Sequence, residues 1–157
     1  MMVSYRVLRT AGSPVCLVGL LAAFAMAHAP NVGAERVPAT WLEPQEPIRL
    51  LGNTYYVGTR GLSSILITSD EGHVLIDAGV MEAAPLIAAN IEKLGFKLRD
   101  VRAILHSHAH FDHVGGLAEL QDLTGAEVVS SKLGAKALRQ GRGDPDDPQF
   151  ESAEAFP

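Results

Sequence analysis

Between Ile48 and Gly79 the apolar positions come in short runs broken by turn residues. "IRLLGNTYYVGT" predicts two short strands around a Gly52-Asn53 turn, and "LSSILITS" a third of β-branched and apolar residues. "DEG" makes a tight turn into "HVLIDAG". Connections this short cannot cross over to a parallel neighbour, so the four strands form an antiparallel meander. At "MEAAPLIAANIEKLG" the period changes. Leu86, Ile87, Asn90, Ile91 and Leu94 share one helical face, Pro85 suits the first turn and Gly95 the position after the end. "VRAILH" has no alternation and is expected to be a strand buried on both faces. "VGGLAELQDLTG" reads as a helix ending at Gly125, "AEVVS" as a strand, "SKLGAKALRQG" as another helix and "RGDPDDPQF" as a loop. Strands followed by alternating helix and strand predict an α/β (α+β) domain, a sheet of mixed direction with helices against it.

The N-terminal third lacks this patterning. "MMVSYRVLRT" carries Arg6 and Arg9 and no acid, and an apolar run follows from Val15 to Ala27. Small residues come next in "AMAHAP". This layout predicts a signal peptide over 1–29, with cleavage after Ala27, Ala29 or Ala34, and so a periplasmic or secreted protein. An uncleaved anchor is the alternative, but the run is short of the roughly 20 apolar residues of a membrane span. No stable membrane span is expected after processing. Residues 30–47 hold four prolines and read as an extended arm, with Trp41 and Leu42 packing on the body; residues 48–157 form the domain. The one cysteine, Cys16, lies in the apolar run, so the processed chain has neither disulfide nor thiolate metal ligand. Net charge of −5 and the lack of a basic run exclude nucleic acid as an expected partner.

The chemistry concentrates in "HSHAHFDHVGG", residues 106–116, which hold four of the six histidines. Neutral imidazole suits Zn²⁺, and aspartate adds an anionic oxygen. His-x-His-x-Asp-His fits one register only: His108, His110, Asp112 and His113. In a loop, His108 and His110 can face one metal while Asp112 and His113 face a second. Two zincs about 3.5–4 Å apart can share a hydroxide, and zinc brings the pKa of bound water to about 7. Gly115 and Gly116 are expected to let the backbone turn sharply beside the metals. Four solvent-facing loop histidines are the bland alternative.

Other polar residues divide by position. His106 is expected to end its strand as a hydrogen-bonded residue, His73 to be structural, and His28 to belong to the signal region. Asp77 closes an apolar strand, where a carboxylate is costly without a partner. It is read as an acceptor behind the metal ligands, with a turn or cap role as alternative. Asp144, Asp146 and Asp147 read as a solvated loop, with calcium binding as alternative.

"HAHFDH" with "VLIDAG" upstream resembles the metallo-β-lactamase superfamily of zinc hydrolases. The stretches "TWLEPQEPIRLLGNTYYVGTRGLSSILITSDEGHVLIDAG", "LRDVRAILHSHAHFDHVGGLAELQDLTGAEVVSS" and "GRGDPDDPQF" are similar to subclass B3. His113 and His108 favour B3 over the B1 and B2 branches. The resemblance implies an αβ/βα sandwich, of which this chain supplies the N-terminal half. It implies His108 and His110 on a first zinc and Asp112 and His113 on a second, two Zn²⁺ per complete enzyme, with Asp112 as the catalytic residue. It further implies that a hydroxide between the zincs attacks the β-lactam carbonyl of a small-molecule substrate, with no covalent acyl-enzyme. The family has two further histidine ligands downstream, yet no histidine follows His113. The chain is therefore expected to be truncated, weak in zinc binding, inactive alone, and bare on one face of its sheet and helices. A lactonase or thioesterase of the same superfamily, or a non-catalytic zinc-binding fragment, are the alternatives. Oligomeric state is not legible.

Overall fold

The computed structural model describes residues 3–5, 37–150 and 155–157. Its centre is one sheet of mixed direction. The strands are β1 (Val3–Tyr5), β2 (Ile48–Leu51), β3 (Thr54–Tyr56), β4 (Ile65–Ile67), β5 (His73–Ile76), β6 (Val101–Leu105) and β7 (Glu127–Ser130). Their order across the sheet is β1-β7-β6-β5-β4-β3-β2. The β2–β5 meander is antiparallel throughout, as the short turns require. β5, β6 and β7 run parallel, because α1 (Ala84–Lys93) intervenes between the first two, and α2 (Phe111–Val114) with α3 (Leu117–Thr124) between the last two. α4 (Lys132–Gln140) follows β7, with the Ser131 hydroxyl capping its start by accepting from Gly134 N–H at 3.0 Å.

The core lies between the sheet and α1 and α3. Leu66, Leu75, Ile104 and Val128 point to this side from four neighbouring strands, meeting Ile87 and Ile91 of α1 and Leu117 and Leu120 of α3. Burial of this apolar surface is the main favourable term in folding. On α1 the buried stripe is Ala84, Ile87, Ala88 and Ile91; Leu86, Asn90 and Leu94 sit at its margins. Asn90 is no core residue but a clasp: its Nδ2 donates to the carbonyls of Gln45, Val57 and Gly58 at 3.0–3.1 Å. Alternate residues Ile65, Ile67, Val74, Ile76, Leu105 and Val129 face the other side of the sheet and are only half-buried.

Three expectations need correction. β6 is not buried on both faces: Val101 and Ile104 are buried, Arg102 is exposed, and Ala103 and Leu105 are half-buried. A helix covers only one side. The motif is not all loop, since Phe111–Val114 form the short α2 before a break at Gly115-Gly116. The arm is not fully extended: Ala39–Trp41 make one 3₁₀ turn, which sets the Trp41 ring 5.9 Å from Phe111. Most of the expected signal segment, and His28, lie outside the described residues. Within that segment Val3–Tyr5 pairs antiparallel with β7. Among the described residues no helix is long and apolar enough to cross a membrane.

Two leucines of α3 separate packing from surface. Leu120 is fully buried and Leu123 is 46% exposed. Leu120→Ala is expected to cost about 2–5 kcal/mol, and Leu123→Ala to stay within roughly 0.5 kcal/mol, measured by urea unfolding. Equal losses at the two positions would contradict the packing described.

Candidate metal centre

Parallel strands bring their carboxyl ends to one edge, where α/β folds gather functional loops. Asp77 follows β5 directly, and the segment beginning at His106 follows β6. The two meet. Asp77 Oδ1 accepts from the Ser107 backbone N–H at 2.7 Å, and Oδ2 accepts from the Ser107 hydroxyl at 2.9 Å. Oδ2 also lies 3.0 Å from His113 Nδ1. Asp77 N–H donates to Leu105 O and Ala78 N–H to His113 O, at 2.9 and 2.8 Å. Asp77 is thus the acceptor behind a candidate ligand that the sequence suggested. It takes this place with φ of 63°, the only positive value among the described non-glycine residues. A backbone in that region is held by its surroundings and marks functional sites.

Gly115 and Gly116 serve a different purpose from the one expected. Both have ordinary right-handed helical angles. What they permit is close approach: a Cβ on Gly116 would stand 2.4 Å from Ala78 O, and one on Gly115 would stand 2.8 Å from Met81 N. The backbone after β5 rests directly on the backbone after the motif.

Three imidazoles converge here. The His108 ring centroid is 4.4 Å from that of His110 and 4.1 Å from that of His113. Asp112 Oδ2 is 3.4 Å from His113 Nε2. All four residues of the motif therefore share one patch, with His108 in contact with a member of each expected pair. Each ring has one nitrogen committed. His113 Nδ1 faces Asp77; His108 Nδ1 lies 3.1 Å from the Ser107 oxygen; His110 Nε2 lies 2.6 Å from Asp147 Oδ2. The other nitrogens are Nε2 of His108, Nδ1 of His110 and Nε2 of His113, the last beside Asp112.

Electrostatics follow the contacts. The hydrogen bond to Asp77 raises the His113 pKa against the opposing effect of burial. Burial, with the nearby His113 and His110 rings disfavouring a further positive charge, lowers that of His108. Burial alone would raise the Asp77 carboxyl, but hydrogen bonds from His113 and Ser107 outweigh it and hold it low.

His106 is hydrogen-bonded, with Nε2 2.7 Å from Ser130 Oγ, while its buried Nδ1 has no partner. Its pKa is lowered by burial. His73 is buried, packs edge-on against Phe96 and accepts from Ser69 N–H at 3.4 Å. The acidic loop corrects the solvated reading: Asp147 reaches the motif, whereas Asp144 Oδ1 accepts from Asp146 N–H within the loop itself.

The donor chemistry fits zinc: imidazoles with free ring nitrogens beside a carboxylate. Among the described residues no group of three or more such side chains is yet gathered to hold an ion.

A family model described as the metallo-beta-lactamase superfamily matches residues 57–155, and the chain belongs to that superfamily. Among solved structures it is similar to MEM-A1, a subclass B3 metallo-beta-lactamase from a soil metagenome library. Identity is 54% and the TM-score 0.72, over 74% of this chain and 44% of that one. It is similar to MIM-1 from Novosphingobium pentaromativorans at 50% identity and a TM-score of 0.74, over 79% and 45%. Among curated proteins, a hydroxyacylglutathione hydrolase of Rhodopseudomonas palustris (strain HaA2) is 48% identical over 68 residues, 40% of this chain and 25% of that protein. A probable metallo-hydrolase of Mycobacterium bovis is 32% identical over 101 residues, 48% of this chain and 32% of that protein. The chain thus spans under half the length of these relatives.

The left-handed backbone at Asp77 gives a test by unfolding. Asp77→Ala and Asp77→Gly both remove the carboxylate, but only alanine keeps the left-handed strain of about 1–2 kcal/mol. The glycine variant is expected to be the more stable by about that amount. Equal stabilities would mean that the strain is not held in the folded protein.

Proposed function

We propose that this chain carries the metal-binding portion of a zinc hydrolase that opens the β-lactam amide bond, of the subclass B3 kind. The observation that carries the reading is the convergence of His108, His110, Asp112 and His113 at the carboxyl edge of β5 and β6, in a chain half-identical to B3 enzymes. His108 and His110 are assigned to one zinc, and Asp112 and His113 to the other. Zinc supplies Lewis acidity and water of lowered pKa. The chain's own part is orientation: Asp77 holds His113 by Nδ1, Ser107 links Asp77 to His108, and Asp112 stands beside His113 Nε2. We also infer export, from Arg6, Arg9 and the Val15–Ala27 run. With four assigned ligands for two ions, the 157 residues by themselves are proposed to bind zinc weakly and turn over little.

The hydroxyacylglutathione hydrolase relatives support a second reading, thioester hydrolysis by the same ligands. The two separate by substrate. Zinc-loaded protein, with any residues that follow Pro157 in its natural frame, is offered a chromogenic cephalosporin and an acyl-glutathione thioester. Lactam hydrolysis that stops on chelation is the expected result; thioester cleavage without lactam cleavage would favour the second reading. Asp112→Ala is expected to lower bound zinc, and to lower hydrolysis by more than the roughly 10–100-fold lost with an outer hydrogen-bond partner. Full zinc content and rate in that variant would overturn the proposal.

A further inference from the structure

We propose that Asp147 is a positioning residue for His110, reaching across from the loop after α4 to decide which imidazole nitrogen faces the metal. The inference rests on the reading of His110 as a zinc ligand and adds a residue from outside the motif.

The loop is built to present this carboxylate. Asp147 N–H donates to Asp144 O at 2.9 Å and Phe150 N–H donates to Asp147 O at 2.9 Å, so Asp147 joins two successive turns. Asp147 Oδ1 is committed to the Gln149 N–H at 2.8 Å. Oδ2 is the oxygen left to point outward, and it meets His110 Nε2 at 2.6 Å. The loop is tied down on either side. Phe156 is buried and its N–H donates to Gly141 O at 3.0 Å. The Arg142 guanidinium lies 4.0 Å over the Phe150 ring and donates to its carbonyl at 3.3 Å. A cavity of about 380 Å³ separates Asp144 and Asp147 from α4 and the strand ends, with His108 on its wall. Asp147 therefore reaches the motif from a different part of the chain than Asp77, and contacts a different histidine.

The chemistry is direct. An ionised carboxylate only accepts, so the neutral His110 ring must carry its proton on Nε2 and leave the Nδ1 lone pair for a metal. A carboxylate on the far nitrogen of a ligating imidazole fixes tautomer and ring angle and increases ligand basicity. Asp77 does this for His113 through Nδ1; Asp147 does it for His110 through Nε2. With the carboxylates on different ring nitrogens, Nδ1 is the nitrogen of His110 away from its carboxylate and Nε2 that of His113. Asp146 makes the comparison possible: it is an aspartate on the same loop, its N–H donates to Asp144 Oδ1, and among the described residues it has no hydrogen bond to a histidine.

The test uses the full 157-residue chain and two readouts. Long-range proton–nitrogen correlation spectra report the tautomer of each imidazole without metal, at a pH about two units above the ordinary imidazole value of ~6.5. His110 is expected to be the Nε2–H form in the parent protein, in Asp146→Ala and in Asp147→Asn, whose side-chain carbonyl still accepts. In Asp147→Ala it is expected to become a mixture. Zinc affinity, measured by competition with a chromophoric chelator, is expected to fall about 10–100-fold in Asp147→Ala and only a few-fold or less in the other two. An unchanged His110 tautomer in Asp147→Ala, or an equal loss of affinity in Asp146→Ala, overturns the proposal. Failure of the parent chain to take up zinc would count against the ligand reading, while the tautomers would still decide the role of Asp147. Should Asp147→Ala not fold, an Nδ1–H His110 in the parent protein is by itself the contrary result.

Discussion

The site depends on one carboxylate. Asp77 leaves the end of β5 in a left-handed backbone conformation and binds the segment after β6 through its two oxygens. It satisfies Ser107 N–H, Ser107 Oγ–H and His113 Nδ1 together. A buried charge of this kind is tolerated because each oxygen has a donor. Without it, His113 Nδ1 and the Ser107 N–H and hydroxyl would lose their shared carboxylate partner, leaving backbone bonds such as Ala78 N–H to His113 O to hold the segment. The close backbone contacts at Gly115 and Gly116 serve the same end by seating the end of α2 and the start of α3 on residues 78–81. The three rings are neighbours because two adjacent parallel strands end side by side and a carboxylate joins them.

Much of this was legible in the sequence, for physical reasons. The meander turns are short and glycine-rich, the α1 stripe has a clear helical period, and a His-x-His-x-Asp-His run allows one register. Asp77 was legible because an aspartate closing an apolar strand has to find a partner. What escaped were properties set by distant chain. Nothing in "GDPDDPQF" distinguishes Asp147 from Asp144 or Asp146; the choice is made by where α4 delivers the loop. The short α2 escaped because four residues hold no period. The half-exposed face of β6 escaped because an apolar run reads as buried whether one side is covered or two.

The sheet also has a second, less covered face. The half-buried row Ile65, Ile67, Val74, Ile76, Leu105 and Val129 is an apolar sheet face with no helix of the α1–α3 layer against it. Solved relatives are more than twice the length that this chain spans. At the opposite edge, β1 protects β7 from pairing with another chain.

The central claim is that the motif presents imidazole nitrogens to zinc at the carboxyl edge of β5 and β6. The most direct measurement is zinc X-ray absorption on the chain loaded with substoichiometric Zn²⁺. The account predicts a first shell with imidazole nitrogen at about 2.0–2.1 Å, together with the outer scattering of rigid rings. A shell made only of oxygen, with no imidazole signature, would contradict it.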